Sequence, residues 1–222
     1  MKIDAFITCV GENARKFLAV SLGFNKKLFD NVYVITTEKS TETHELCARA
    51  GVECVTTDLF YKNHAVFNRG AALNDVFDLI KPADWVCHLD ADIILPSTFL
   101  EWKNNYNDSI EYFWGCRRIF IPAIYDLSDL MTGKVIEDVF EKPYGIGYGY
   151  MQLWNVNSEV VKSGAKYPES YDSSNSDWQW RNFWGETING DKEYTKNLKE
   201  LPISCLHLGL PGLDNNQSFW GE

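Results

Sequence analysis

The sequence has no long apolar run and few basic residues. Its apolar runs are far shorter than the roughly 20 residues that cross a bilayer, so we expect no transmembrane segment. Asp4 interrupts the first apolar run, which is not typical of a secretory signal, and this predicts a cytoplasmic protein. Lys and Arg total 21 against 31 Asp and Glu, a net charge of −10. Without a basic patch this net charge argues against nucleic-acid or anionic-membrane binding. It does not by itself exclude a nucleic-acid partner.

The six cysteines include no C-x-x-C pair. This absence argues against a zinc ribbon or a thioredoxin-type site. Most of the cysteines lie in apolar, strand-like runs, as Cys87 and Cys205 do. We therefore expect buried, reduced thiols, as in a cytoplasmic protein.

A chain of 222 residues is long enough for one domain with a substantial core. Strand-like and helix-like patterns alternate in its first half. The predicted strands are 2–9, 32–36, 52–56 and 85–89, and the predicted helices are 12–22, 41–51 and 68–80. Successive βα units imply a mostly parallel, Rossmann-like sheet covered by helices.

The second half has a different pattern, with predicted strands at 111–121, 148–156 and 203–208 and a short helix at 177–184 capped by Ser176. No linker divides the chain. We therefore predict one α/β domain in which a mixed-sheet half follows the Rossmann-like half. Aromatic residues make up 14% of the chain. Many of them lie beside Asn, Asp and Gly after residue 140, which suits sugar binding, although core packing explains most aromatic residues.

Two acidic residues follow the apolar run at 85–89. Residues two apart in a strand point the same way, so Asp90 and Asp92 would present two carboxylates where open α/β sheets bind ligands. Such a pair repels unless a cation or a hydrogen-bond donor compensates it. A divalent metal holding a diphosphate is one solution, and a polar turn closing the strand is the alternative.

The segment FNRGAALN at 67–74, followed by HLDADIILP at 88–96, resembles the GT-A glycosyltransferases. It is most similar to the family 2 enzymes and the β-1,4-galactosyltransferase-like group, in which an F-N-R-x-x-x-L-N helix precedes a D-x-D strand end. The resemblance implies a single GT-A domain with a nucleotide-binding half, 1–95, and an acceptor and metal-closing half, 96–222. It also implies a nucleotide-sugar donor, usually a UDP-sugar, with Mn²⁺ (or Mg²⁺) between the D-x-D motif and the diphosphate.

Carried onto this sequence, the resemblance places the motif residues Asp90, Ala91 and Asp92 at the donor. Asp92 would ligate the metal, while Asp90 would lie near the ribose or assist at the metal. Arg69 would approach the nucleotide, or else be an exposed arginine in the first turn of a helix.

The loop after the first strand, Thr8, Cys9 and Val10, would hold the base and ribose. The sequence lacks the Pro or Arg common there in family 2, and it has Thr36-Thr37-Glu38 in place of a D-D-G-S turn. The identity of the base is therefore open.

Family members often place a metal-binding histidine at the position of His207, near the end of the last predicted strand. Imidazole, carboxylate and phosphate oxygens together suit Mn²⁺ better than Mg²⁺ or Ca²⁺. A structural histidine is the alternative. The family's catalytic base begins a short helix, which makes Asp177 the candidate here, with Asp172 and Glu169 as alternatives. Asp177 could instead only complement the positive end of that helix.

We therefore expect a metal-dependent, inverting glycosyltransferase that transfers a sugar from a nucleotide sugar to a hydroxyl acceptor, a saccharide or glycoconjugate. Three alternatives remain. A nucleotidyltransferase would carry a G-x-G-T-R-like loop, which CVGENARKF at 9–17 does not supply. A non-catalytic carbohydrate-binding domain would not need a metal site and a base. A phage-type glycosyltransferase acting on modified DNA bases is compatible with the net charge.

Overall fold

The structure is a computed structural model that describes residues 1–82, 84–120, 150–172, 176–184, 186–188, 191–193 and 198–208. The start of the strand predicted at 148–156 and the last residue of the one predicted at 111–121 lie outside these ranges. No helix in the described ranges is long and apolar enough to cross a membrane.

The strands in the described ranges are β1 Ile3–Thr8, β2 Asn31–Thr36, β3 Glu53–Thr56, β4 Trp85–Asp90, β5 Ile93–Ile94, β6 Tyr112–Phe120, β7 Met151–Asn155, β8 Glu186–Ile188, β9 Asp191–Glu193 and β10 Leu198–His207. Eight of them form the main sheet in the order β3-β2-β1-β4-β7-β6-β10-β5, and β8 and β9 form a separate hairpin. The helices are α1 Glu12–Asn25, α2 Thr41–Ala50, α3 Arg69–Ile80, α4 Thr98–Asn105, α5 Glu159–Lys162 and α6 Ser176–Asn182, with a 3-10 segment at Leu59–His64.

Strands β1 to β4 are mutually parallel, as the alternating pattern predicts. Helix α2 ends at Ala50 and is capped by Gly51, whose φ of +68° is strained for other residues. Asn68 caps α3 by accepting a hydrogen bond from the Ala71 N–H. These caps explain why both helix ends agree with the sequence prediction to within a residue.

The second half of the sheet is mixed. Strand β7 runs antiparallel to β4 and β6, and β10 runs parallel to β6 and antiparallel to the two-residue β5. The β5–β10 pairing brings the carboxyl end of β10 beside the turn that follows β4. The prediction of one α/β domain with a mixed half is confirmed, whereas the last strand begins at Leu198, before the predicted 203–208.

A hydrophobic core covers each face of the sheet. Successive side chains of a strand point to opposite faces, so Ile3, Ala5 and Ile7 of β1 lie in one core and Phe6 lies in the other. The second core includes Trp180 and Trp184 of the α6 region. All six cysteines are free thiols, and all but Cys54 are buried, as expected. Helix α6 starts at Ser176, so Ser176 is its first residue and not the predicted cap.

Candidate active site

The candidate site lies at the carboxyl end of β4. Asp90 is the last residue of that strand, pairs in register with Thr8 of β1, and donates its N–H to the Tyr150 carbonyl. Ala91 and Asp92 form a turn before β5. The strand-alternation argument therefore does not apply to Asp92, because the strand has already ended, and the two carboxylates have different partners.

Helix α1 holds this turn through two buried polar side chains. The Ser21 hydroxyl donates to the Ala91 carbonyl at 2.7 Å. The Asn25 amide donates to the Ile93 carbonyl at 2.7 Å and accepts from the Leu95 N–H at 3.0 Å. These bonds fix the backbone on both sides of Asp92, and neither Ser21 nor Asn25 was identified from the sequence.

Asp92 faces His207 at the end of β10. The distance between Asp92 Oδ2 and His207 Nε2 is 3.0 Å, and the Leu208 N–H donates to the Asp92 carbonyl at 2.8 Å. Asp92 Oδ1 is buried without a hydrogen-bond partner among the described residues. A carboxylate with an unpaired oxygen beside an imidazole nitrogen is a donor set that fits Mn²⁺. In the described ranges no third His, Cys, Asp or Glu completes a cluster, so the remaining ligands of a cation there would come from elsewhere.

Asp90 belongs to a different cluster, centred on the buried side chain of Arg69. One guanidinium nitrogen of Arg69 lies 3.0 Å from Asp90 Oδ1, and the other lies 2.5 Å from Asp177 Oδ2. Arg69 is therefore neither exposed nor turned away from the site, and it joins the strand end to α6. Burial raises the pKa of both carboxyls, and the Arg69 charge opposes that rise in each case.

The other oxygen of Asp177 accepts a hydrogen bond from the hydroxyl of Tyr167. Tyr167 is buried, and no sequence argument identified it. The alternative base Glu169 lies outside this cluster, paired with Lys62 at 2.8 Å on the surface, and Asp172 is also exposed. Of the three predicted bases, the structure brings Asp177 alone into the Arg69 cluster.

Of the predicted nucleotide loop, Thr8 is the last residue of β1 and pairs with Asp90, and Cys9 and Val10 follow the strand. The side chains of Thr8 and Cys9 are buried, and burial raises the pKa of the Cys9 thiol to about 12. The Cys9 N–H is bonded to the Ile35 carbonyl at 2.9 Å. Val10 is half-buried, so it is the member of this loop whose side chain is open to a ligand.

The three tryptophans near Asp177 separate into two kinds. Trp180 and Trp184 are core residues, as expected for at least one of that pair, and Trp178 is 45% exposed. The Arg181 guanidinium lies over the rings of Trp114 and Trp178, 4.7 and 5.0 Å from their centroids. This contact orients the ring of Trp178, which follows Asp177 in the chain.

Neither a family model nor a curated protein sequence matches the chain. In its architecture, a single α/β domain with a mixed sheet, the chain has the GT-A fold.

Among solved structures it is similar to glucosyl-3-phosphoglycerate synthase from Mycobacterium tuberculosis in complex with Mn²⁺, UDP and glucosyl-3-phosphoglycerate. The identity is 12%, covering 95% of this chain and 73% of that one, with a TM-score of 0.57. The same synthase with Mn²⁺ and UDP-glucose matches at 14% identity, covering 96% of this chain and 73% of that one, with a TM-score of 0.57. A cytidylyltransferase from Leptospira borgpetersenii serovar Hardjo-bovis matches at 16% identity, covering 91% of this chain and 76% of that one, with a TM-score of 0.50. At these identities the likeness shows the fold, and the narrower resemblance to the β-1,4-galactosyltransferase-like group stays a prediction.

Proposed function

We propose that the protein is a metal-dependent glycosyltransferase that transfers a sugar from a nucleotide sugar, a UDP-sugar, to a hydroxyl acceptor. One observation carries the proposal. The Asp92–His207 pair and the Asp90–Arg69–Asp177 cluster lie at one edge of the sheet, joined by the short turn after β4. The similarity to a synthase solved with Mn²⁺ and UDP-glucose supports this proposal.

Asp92 and His207 would hold Mn²⁺ (or Mg²⁺). Asp90 is the other carboxylate of the D-x-D motif, two residues before Asp92. A divalent cation bound there supplies positive charge that stabilises the leaving diphosphate. The backbone of Thr8, Cys9 and Val10, beside the strand end, would bind the base and ribose. Burial of Ser21 and Asn25 under the turn keeps Asp92 in place before the donor arrives.

Asp177 is the base of the proposed reaction, in which it accepts the proton of the acceptor hydroxyl. Burial raises the pKa of this carboxyl, and a raised pKa makes it a better proton acceptor. Arg69 and Tyr167 oppose the rise and favour the ionised form that a base requires. A single displacement assisted by such a base inverts the anomeric centre. The exposed face of Trp178 would lie beside the acceptor, a saccharide or glycoconjugate.

The experiment is a panel of nucleotide sugars and acceptors with Mn²⁺, measuring release of the nucleoside diphosphate and the product anomer by NMR. Asp177→Asn should lower kcat by roughly a hundredfold or more and leave the KM for the donor near that of wild type. Asp75→Asn, at an exposed position on α3, is the matched control and should turn over normally. Unchanged turnover in Asp177→Asn would rule out this base, and a retained anomer would rule out inversion.

A nucleotidyltransferase is the second candidate, supported by the similarity to a cytidylyltransferase. It would release inorganic diphosphate from a nucleoside triphosphate and a sugar phosphate, whereas the proposed transferase releases UDP from a UDP-sugar. Including oligonucleotides with modified bases among the acceptors tests the phage-type alternative in the same assay.

A further inference from the structure

The amino-terminal half of α3 is joined to the irregular segment 165–170 by an unusually complete contact. The Asn74 side-chain amide donates to the Tyr167 carbonyl at 2.8 Å, and its oxygen accepts from the Tyr167 N–H at 2.8 Å. One side chain thus pairs both backbone groups of Tyr167, as a neighbouring strand would. A Cβ on Gly70, one turn earlier, would clash with the Pro168 carbonyl, so glycine is required for this approach.

Tyr167 carries the contact into the candidate site. Its ring packs against Trp180 and Trp154, with centroids 5.4 and 6.2 Å apart. Its hydroxyl donates to Asp177 Oδ1, and the other carboxylate oxygen is held by Arg69. The orientation of the Asp177 carboxylate is therefore set by two donors, one of which is fixed to α3 through its backbone.

We propose that Asn74 is a positioning residue that sets the Asp177 carboxylate through Tyr167. The proposal rests on the proposed function, in which Asp177 is the base. The Tyr167 ring is rigid, so the position of the Tyr167 backbone determines where its hydroxyl lies. Asn74 fixes that backbone through its two hydrogen bonds. Without Asn74, two partly buried main-chain groups would lose their partners and the segment would move to reach water. A displacement of about 1 Å at a reacting group can cost about a hundredfold in rate.

The Tyr167–Asp177 hydrogen bond also affects the pH dependence of kcat. The groups facing Asp177 are Arg69 on α3, Asp90 on β4, Tyr112 on β6 and Tyr167. The Tyr167 hydrogen bond favours the ionised carboxylate and lowers its pKa, against the rise that burial causes. Losing that bond raises the pKa of Asp177 further, so the acidic limb of the kcat profile moves to higher pH.

The test is a double-mutant cycle with Asn74→Ala and Tyr167→Phe, followed by donor and acceptor kinetics between pH 5 and 8. Each single variant should lower kcat by about tenfold to a hundredfold, leave the donor KM unchanged and move the acidic limb upward. The double variant should be no slower than the slower single variant, because both changes remove the same interaction. Additive losses with an unmoved acidic limb would overturn the proposal.

Two controls separate positioning from general damage. Asp75→Ala changes the neighbouring, exposed residue of α3, and Tyr106→Phe removes a hydroxyl that bonds the Ile110 carbonyl away from the site. Both should keep the wild-type pH profile. If Asn74→Ala does not fold, Asn74→Ser replaces it, since its hydroxyl is too short to pair both backbone groups.

A measurement without substrate keeps this inference separate from the proposed function. Carboxyl ¹³C NMR, with the Asp177 resonance assigned from its loss in Asp177→Asn, follows the titration of that group directly. A higher Asp177 pKa in Tyr167→Phe and in the Asn74 variant supports the positioning role, even if no transferase activity is found. An unchanged Asp177 pKa in the Asn74 variant overturns it, even if the enzyme is active.

Discussion

Arg69 is the buried cation on which two part-buried carboxylates depend, so Arg69→Met should be among the most destabilising single changes in this chain. The guanidinium lies 3.0 Å from Asp90 and 2.5 Å from Asp177, and its side chain is 6% exposed. Methionine fills a similar volume and removes the charge. The two part-buried carboxylates then repel each other without the guanidinium as counter-ion.

Removing one partner of a buried ion pair costs about 3–5 kcal/mol. The free energy of unfolding of a domain of this size is about 5–15 kcal/mol. The variant should therefore fold, but with a much lower unfolding midpoint. The unfolding free energy of Arg69→Lys should lie between those of wild type and Arg69→Met, because a single ammonium cannot reach both carboxylates with the geometry of the guanidinium.

The loss should depend on pH in a defined direction. The pKa values of Asp90 and Asp177 already lie above the ordinary value because of burial, and without Arg69 they rise further. The variant is penalised where these groups must ionise, and the penalty shrinks as the pH falls and they become protonated. The difference in unfolding free energy between wild type and Arg69→Met should therefore be larger at pH 7 than at pH 4.5.

Urea unfolding followed by tryptophan fluorescence at both pH values measures this difference. Arg49→Met is the control, because Arg49 lies on the surface 3.7 Å from Glu45 and both side chains are exposed. A loss of unfolding free energy in Arg69→Met no larger than that in Arg49→Met, or one that is the same at both pH values, would show that Arg69 is not the counter-ion of Asp90 and Asp177.

Three further outcomes are expected. Gly70→Ala should lower the unfolding free energy by about 1–3 kcal/mol, because its Cβ overlaps a backbone carbonyl that cannot retreat freely; an unchanged urea midpoint would contradict this. Ser21→Ala should cost about 1–3 kcal/mol by leaving a buried carbonyl unpaired, and an unchanged thermal midpoint would show that water replaces the hydroxyl. Burial acts to raise the pKa of Asp30, but the hydrogen bonds from Lys103 and a backbone N–H outweigh it and the pKa is lowered. Its stabilisation is therefore complete above the ordinary aspartate pKa and lost as pH falls through the lowered value, so Asp30→Asn should be less stable than wild type at pH 7 and equal to it in strong acid.

The Rossmann-like half could be predicted because its signals are local. Helix α3 has an Asn cap and apolar residues at helical spacing, and Gly51 caps the end of α2, so both boundaries follow from nearby residues. The β5–β10 pairing could not be predicted this way. It joins Ile93–Ile94 to the end of Leu198–His207, and a two-residue strand has no periodicity of its own.

The early start of β10 was missed for a related reason. Its first half contains charged residues and Pro202, which argue against a regular strand. In the structure the register with β6 shifts between Lys199 and Leu201 and again between Leu201 and Ser204. These irregularities accommodate a sequence that reads as a loop.

At the site, motif resemblance pointed to Asp92, His207 and Asp177, but not to the residues that hold them. Ser21 and Asn25 are polar positions on the buried face of α1, four residues apart, and that unusual placement is the signal that could have identified them. Asn74 belongs to the FNRGAALN segment, but its partner Tyr167 lies far along the chain. Such pairs depend on tertiary structure, which no local pattern encodes.

We propose that Asp92 and His207 form a metal site that binds the donor diphosphate. Calorimetric titration of UDP into the wild-type protein, with Mn²⁺ and then with EDTA, tests it most directly. We predict binding that requires Mn²⁺ and is abolished or greatly weakened in Asp92→Asn and in His207→Ala, while both variants keep the wild-type circular dichroism spectrum and Asp75→Asn binds normally. Equal UDP affinity with Mn²⁺ and with EDTA, or unchanged Mn²⁺-dependent binding in both site variants, would contradict the claim.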